Sequence, residues 1–290
     1  KLTKKSKILI IVLSIVAFLL IATVLGGVIA LNQYCKTKDY TVISTSDNVT
    51  LVAHRGMRSV APENTTASFA EAGKHGYWGA ECDIYRTKDG VWIISHDSHT
   101  YRMMDKSAFI EKKTYEELMD MNVDNGVNID KYEDLKICSL EEYLDICKKY
   151  NMTPVIELKG KNNTEYYSEI VELANQFEVN PVYISFHIEN LQTMRQLTQC
   201  KMYYLVQKIS EDDIQDAKSI ENCGIAFNGN KDKNFKSDII KKCQDAGLEL
   251  GAWTINEEDA LQKLEQYGIT LITTDCIESV SYTHLTLPTT

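Results

Sequence analysis

"AECDIYRTKDGVWIISHD", residues 80–97, is the stretch that decides the fold. In its first half acids alternate with apolar residues. Strand side chains alternate between faces, so Glu81 and Asp83 point one way and Ala80, Cys82 and Ile84 the other. If the apolar set packs on helices, the two carboxylates face a barrel interior, where unpaired charge is expensive. A divalent cation with oxygen ligands removes that cost; a buried salt-bridge cluster is the alternative. Asp89-Gly90 then signals a turn, and "VWIIS" (91–95) reads as a hairpin or extension beside the strand at 80–84.

Moving outward, strands are predicted at "TLVAH" (50–54), "AECDI" (80–84), "PVIEL" (154–158), "VYISF" (182–186), "MYYLV" (202–206), "GIAFN" (224–228), "LGAWTI" (250–255) and "TLITT" (270–274). Helical patterns lie between them at 65–75, 140–150, 165–177, 188–197, 212–219, 237–246 and 257–267. Strands alternating with helices give parallel βα units. Eight of them predict an α/β fold, a (β/α)8 TIM-type barrel, over residues 40–279. Residues 98–137 have no place in the alternation and are predicted to be an insertion over the barrel mouth.

Polar residues gather at the strand ends. Glu157 and Lys159 repeat the inward pattern in "VIELK". His54 ends the first strand in "AHRG" and His96 follows the hairpin in "SHD". A lone histidine is usually structural, but two at strand ends beside three acids are harder to dismiss as catalytic candidates. Arg55 suits forked contact with a phosphate, or a salt bridge with one of the acids. Gly56 permits a sharp turn. Pro62-Glu63-Asn64-Thr65 reads as a turn and an ordinary helix start.

"AHRG", "PENTTASFAEA", "AECDIYRTKDGVWIISHD" and "VIELK", in this order, resemble the glycerophosphodiester phosphodiesterase family. Weaker matches follow at "ISF" (184–186), "AWTIN" (252–256) and "TTD" (273–275). The resemblance implies a (β/α) barrel that hydrolyses glycerophosphodiesters to glycerol 3-phosphate and an alcohol. It implies metal ligation by Glu81, Asp83 and Glu157, acid–base work by His54 and His96, and phosphate contacts from Arg55 and Lys159. Trp253 and Phe186 become pocket-wall aromatics, although Trp253 also suits a plain core position. All-oxygen ligands favour Mg²⁺ or Ca²⁺ over zinc. The expected partner is a small glycerophosphodiester; no protein partner is expected. A phosphatidylinositol phospholipase C-like phosphodiesterase and a non-catalytic surface-binding barrel are the competing readings. The identity of the leaving alcohol, and which histidine is the acid, stay open.

Residues 8–31, "ILIIVLSIVAFLLIATVLGGVIAL", carry no charge and reach ~36 Å as a helix, enough for a ~30 Å hydrocarbon layer. Lys1, Lys4, Lys5 and Lys7 precede them. Residues 1–39 thus read as a cytoplasmic basic tip, a single-pass transmembrane anchor and a linker, with the catalytic domain extracytoplasmic at the cell membrane. A cleaved signal peptide is the alternative. Removing Lys36, Lys38, Asp39 and those four lysines from 31 basic and 41 acidic residues leaves 25 against 40, a net of -15. Such a domain repels nucleic acid. None of the eight cysteines forms a C-x-x-C pair, so they read mostly as small core residues, with a few disulfides open. Residues 280–290, "VSYTHLTLPTT", resemble a translated sequencing adaptor. The barrel is then expected to be C-terminally truncated, with Leu271 or Ile272 left less covered than their counterparts.

Overall fold

The computed structural model describes residues 4–38, 40–45, 49–230 and 236–279; the adaptor-like residues 280–290 lie outside them. The chain divides into two compact units, with the boundary after Lys38. The first is helix α1 (Lys4–Cys35), whose stretch Leu13–Cys35 is long and apolar enough to cross a membrane.

The second unit begins with β1 (Ile43–Thr45), β2 (Thr50–Ala53), α2 (Thr66–Lys74), β3 (Gly79–Arg86) and β4 (Trp92–Ile94). After the short α3 (Tyr115–Met119), helix and strand alternate: α4 (Leu140–Tyr150), β5 (Thr153–Leu158), α5 (Tyr167–Gln176), β6 (Val182–Ser185), α6 (Ile188–Arg195), β7 (Met202–Val206), α7 (Glu211–Lys218) and β8 (Cys223–Asn228). The series ends with α8 (Ser237–Asp245), β9 (Leu250–Trp253), α9 (Glu258–Gln266), β10 (Leu271–Thr274) and β11 (Ile277–Ser279). Strands β2, β3 and β5 to β10 pair in parallel. β2 bonds both β10 and β3, which closes an eight-stranded barrel. β4 adds antiparallel to β3, as the Asp89-Gly90 turn predicts.

Local chemistry sets the boundaries. Thr65, Ser139 and Ser210 cap α2, α4 and α7 through reciprocal capping boxes. Alternation along the strands sends Cys82, Ile84, Ile156, Leu158, Ile225 and Phe227 to the helix-facing core. It sends Val52, Val155, Ile184, Leu205 and Ala226 to the interior. Tyr143 of α4 stitches the two acid-bearing strands: its hydroxyl donates to the Ala80 carbonyl at 2.6 Å and accepts from the Val155 N–H at 2.9 Å.

Two expectations need correction or completion. Ile272 is fully buried, in the same apolar cluster as Leu264 and Ile277. Ile272 is thus not bare, because β11, unforeseen in the sequence, brings Ile277 to that cluster, whereas Leu271 is partly buried and packs on the interior cluster. β1 was unforeseen too; it pairs in parallel with β11, Ile43 opposite Ile277. All eight cysteines are free thiols, six of them buried. Residues 98–137 pack Met104, Ile110, Leu118 and Met121 with Ile93 of β4 in a small separate core.

Candidate active site

β3 and β5 lie in register, with Asp83 opposite Glu157. This pairing brings the carboxylate oxygens of Glu81, Asp83 and Glu157 within 4.8 Å of one another, all three residues buried. Three acids at this spacing cannot share a dry site as bare anions. Burial, Asp83 and Glu157 push the Glu81 carboxyl well above its usual range. Burial and Asp83 push Glu157 up to about 7. Burial would raise Asp83 as well, but Arg55 and Lys159 outweigh it and hold that carboxyl at about 2. Lys159 Nζ lies 3.2 Å from Asp83 and 3.0 Å from Glu157. Asn64 donates to Asp83 at 2.9 Å. An all-oxygen, buried donor set with this excess of negative charge fits a hard divalent cation.

The loop after β2 wraps the same cluster. Arg55 adopts a left-handed backbone (φ 58°) and aims its N–H at Glu81 Oε2, 2.9 Å away. Gly56 follows at φ 73°, where a Cβ would come within 2.7 Å of the Ser68 backbone. Only glycine fits both demands. The Arg55 guanidinium reaches Glu63 at 2.9 Å and lies 3.6 Å from Asp83. Its buried Nε has no hydrogen-bond partner among the described residues.

Each histidine is backed by a carboxylate. His54 Nδ1 meets Asp275 Oδ1 at 2.7 Å, and Asn256 donates to the other oxygen at 2.7 Å. Burial would lift Asp275, but His54, Arg58 and Asn256 hold it at about 2. An ionised acceptor makes Nδ1 the donor, so the remaining Nε2 carries the lone pair. Burial and Arg55 lower the His54 pKa against the pull of Asp275, so the ring is neutral at pH 7. His96 Nδ1 lies 2.9 Å from Asp97, which Arg102 holds at 2.7 Å. His54, Arg55, Glu81, His96, Glu157 and Lys159 all line one cavity of about 320 Å³. Phe186 and Trp253 line it as well, edge to face with centroids 5.3 Å apart.

Glu63, which the sequence suggested was only part of a helix start, is the hub behind these groups. It is buried and ion-paired with Arg55, Arg58 and Arg102. The capping role falls to Thr65 with Ser68. Arg58, Arg102, Asp97, Asn256 and Asp275 were likewise not assigned from sequence, although "SHD" and "TTD" placed Asp97 and Asp275 in recognised motifs. Asp275 is depressed to about 2, so the stability it confers is present above pH ~4 and lost as pH falls through 2; Glu63, held well below its usual range by Arg55, Arg58 and Arg102, acts with the same sign. Glu63→Ala removes one buried anion from among three partly buried guanidiniums and is expected to cost about 3–5 kcal/mol. Urea unfolding of the variant measures this; a loss below about 1 kcal/mol would show that the arginines find other partners.

Residues 54–279 match the Glycerophosphoryl diester phosphodiesterase family. The chain belongs to that family. Glycerophosphodiester phosphodiesterase 1 of Mus musculus is 30% identical over 274 residues, covering 82% of this chain and 81% of its own. An Oleispira antarctica phosphodiesterase, solved in complex with the product sn-glycerol-3-phosphate, superposes with a TM-score of 0.72 at 26% identity. That match covers 78% of this chain and 92% of the other. A glycerophosphodiester phosphodiesterase from Parabacteroides distasonis gives a TM-score of 0.65 at 26% identity, covering 80% and 94% of the two chains. This glycerophosphodiester phosphodiesterase is thus a phosphoric diester hydrolase on a TIM-type barrel.

Proposed function

We propose that this phosphodiesterase is membrane-anchored and metal-dependent, and cleaves glycerophosphodiesters to glycerol 3-phosphate and an alcohol by paired-histidine acid–base catalysis. The observation that carries the proposal is the cluster of three buried carboxylates, two of which line a cavity together with two carboxylate-backed histidines. Glu81, Asp83 and Glu157 would hold Mg²⁺ or Ca²⁺, which supplies positive charge at a nonbridging phosphate oxygen when bound. Arg55, which lines the cavity, contacts another, and Lys159 adds charge beside it. Trp253 and Phe186 take the carbon skeleton of the substrate. One histidine takes a proton from the nucleophile, water or the neighbouring glycerol hydroxyl. The other gives a proton to the leaving oxygen. His54, neutral at pH 7 with Nδ1 committed to Asp275, suits the accepting role.

The direct test is a panel of glycerophosphodiesters of choline, ethanolamine, glycerol and polyglycerol phosphate. Release of glycerol 3-phosphate from one or more of them is expected. Turnover of phosphatidylinositol with none of these diesters would instead support the phospholipase reading.

The proposed domain plan is an anchor and linker to residue 39 followed by the barrel to residue 279. Lys4, Lys5 and Lys7 precede the apolar stretch of α1, which favours a cytoplasmic N-terminus and an extracytoplasmic barrel. Protease added to intact cells, or after permeabilising any outer membrane, is expected to remove the barrel. Protection under both conditions would reverse this topology.

A further inference from the structure

The segment that follows α1 in sequence is built into the back of the active site. Tyr40 lies under the Arg58 guanidinium, 5.7 Å from guanidinium carbon to ring centroid. Arg58 in turn pairs with Glu63 and lies 3.7 Å from Asp275 Oδ1, the oxygen that holds His54. The Tyr40 hydroxyl is buried and without a hydrogen-bond partner among the described residues. Three residues on, the Ile43 N–H donates to the Cys276 carbonyl at 3.0 Å, and β1 continues beside β11 through Thr45 and Ser279. Asp275 thus sits immediately before a strand whose edge is the N-terminal segment.

We infer that Tyr40, seated by β1, is a positioning residue for the reaction: its ring seals Arg58 onto Asp275 and thereby fixes the imidazole of His54. The physical case has three parts. A guanidinium over an aromatic face is held by the ring quadrupole, more strongly when water is excluded. Excluding water from the far side of Arg58 strengthens its attraction to Asp275. A buried hydroxyl with no partner contributes cost rather than hold, so the ring, not the hydroxyl, is the working part. The inference rests on the reading of His54 as a catalytic group.

The test uses the full chain and a double-mutant cycle between Tyr40 and Asp275. Tyr40→Ala is expected to lower kcat about ten-fold with KM changed less than two-fold, because a misaligned imidazole affects the chemical step and not ground-state binding. Tyr40→Phe, which keeps the ring, is expected to hold kcat within two-fold. In an Asp275→Asn background, Tyr40→Ala is expected to change kcat less than two-fold, since the path to His54 is already cut. Rates are referred to the folded fraction measured by circular dichroism; if Tyr40→Ala does not fold, Tyr40→Leu takes its place in the same cycle. Full wild-type kcat in Tyr40→Ala, failure of Tyr40→Phe to restore it, or an undiminished ten-fold loss in the Asp275→Asn background would each overturn the inference. Full activity of Asp275→Asn alone would instead strike the reading of the His54 dyad, which separates the two failures.

Discussion

Exhaustive chelation by EDTA is expected to lower turnover about 10³-fold or more, with Mg²⁺ or Ca²⁺ restoring it. The argument is one of charge. Glu81, Asp83 and Glu157 lie within 4.8 Å of one another away from water, and the cations that face them directly are Arg55 and Lys159. Adding a phosphodiester brings one more negative charge into this space. Charge stabilisation by a bound cation is worth several kcal/mol in the transition state, and each 1.36 kcal/mol is a factor of ten in rate. Oxygen donors alone favour hard cations, so Mg²⁺ or Ca²⁺ should reactivate the apoenzyme better than Zn²⁺. Retention of full activity after chelation would refute the dependence and leave the three acids as a salt-bridge cluster around Arg55 and Lys159.

His54→Ala and His96→Ala are each expected to lower kcat by about 10²–10⁴-fold while leaving the fold intact, the range for a lost general acid or base. Both side chains are only partly buried and line the cavity, so their truncation leaves little void. The partners they release differ. Without His54, Asp275 keeps Asn256 and Arg58. Without His96, Asp97 keeps Arg102. Neither carboxylate is stranded, so circular dichroism and urea midpoints should change little while turnover falls. Wild-type turnover in either variant would remove that histidine from the mechanism.

Much of this was legible because strand alternation is a local rule. Glu81, Asp83 and Glu157 had to face the interior once Cys82, Ile84, Ile156 and Leu158 faced the helices. The clamps behind the catalytic groups obey no local rule. His54 and Asp275 meet across 221 residues of sequence. Arg102 comes from the insertion, which has no periodicity to read, and crosses 39 residues to Glu63. Glu63 stands two positions before a sound helix cap, and the cap accounted for the motif so fully that its charge went unassigned. β1 and β11 are three residues each, too short for periodicity to register.

One geometric feature of β3 bears on how the enzyme comes apart. Its eight residues are gripped by three neighbours in succession: β2 at Gly79 and Ala80, β5 from Gly79 to Ile84, and β4 from Ile84 to Arg86. β5 runs along one side of most of the strand, while on the other side β2 holds its start and β4 its end. Glu81 and Asp83 lie in its middle, held through the β5 ladder, so opening the site from this side requires loss of the β3–β5 hydrogen bonds. The acids therefore open only with the barrel wall, and because the Arg55 N–H bonds Glu81, any movement of the loop bearing His54 is felt at the acid cluster.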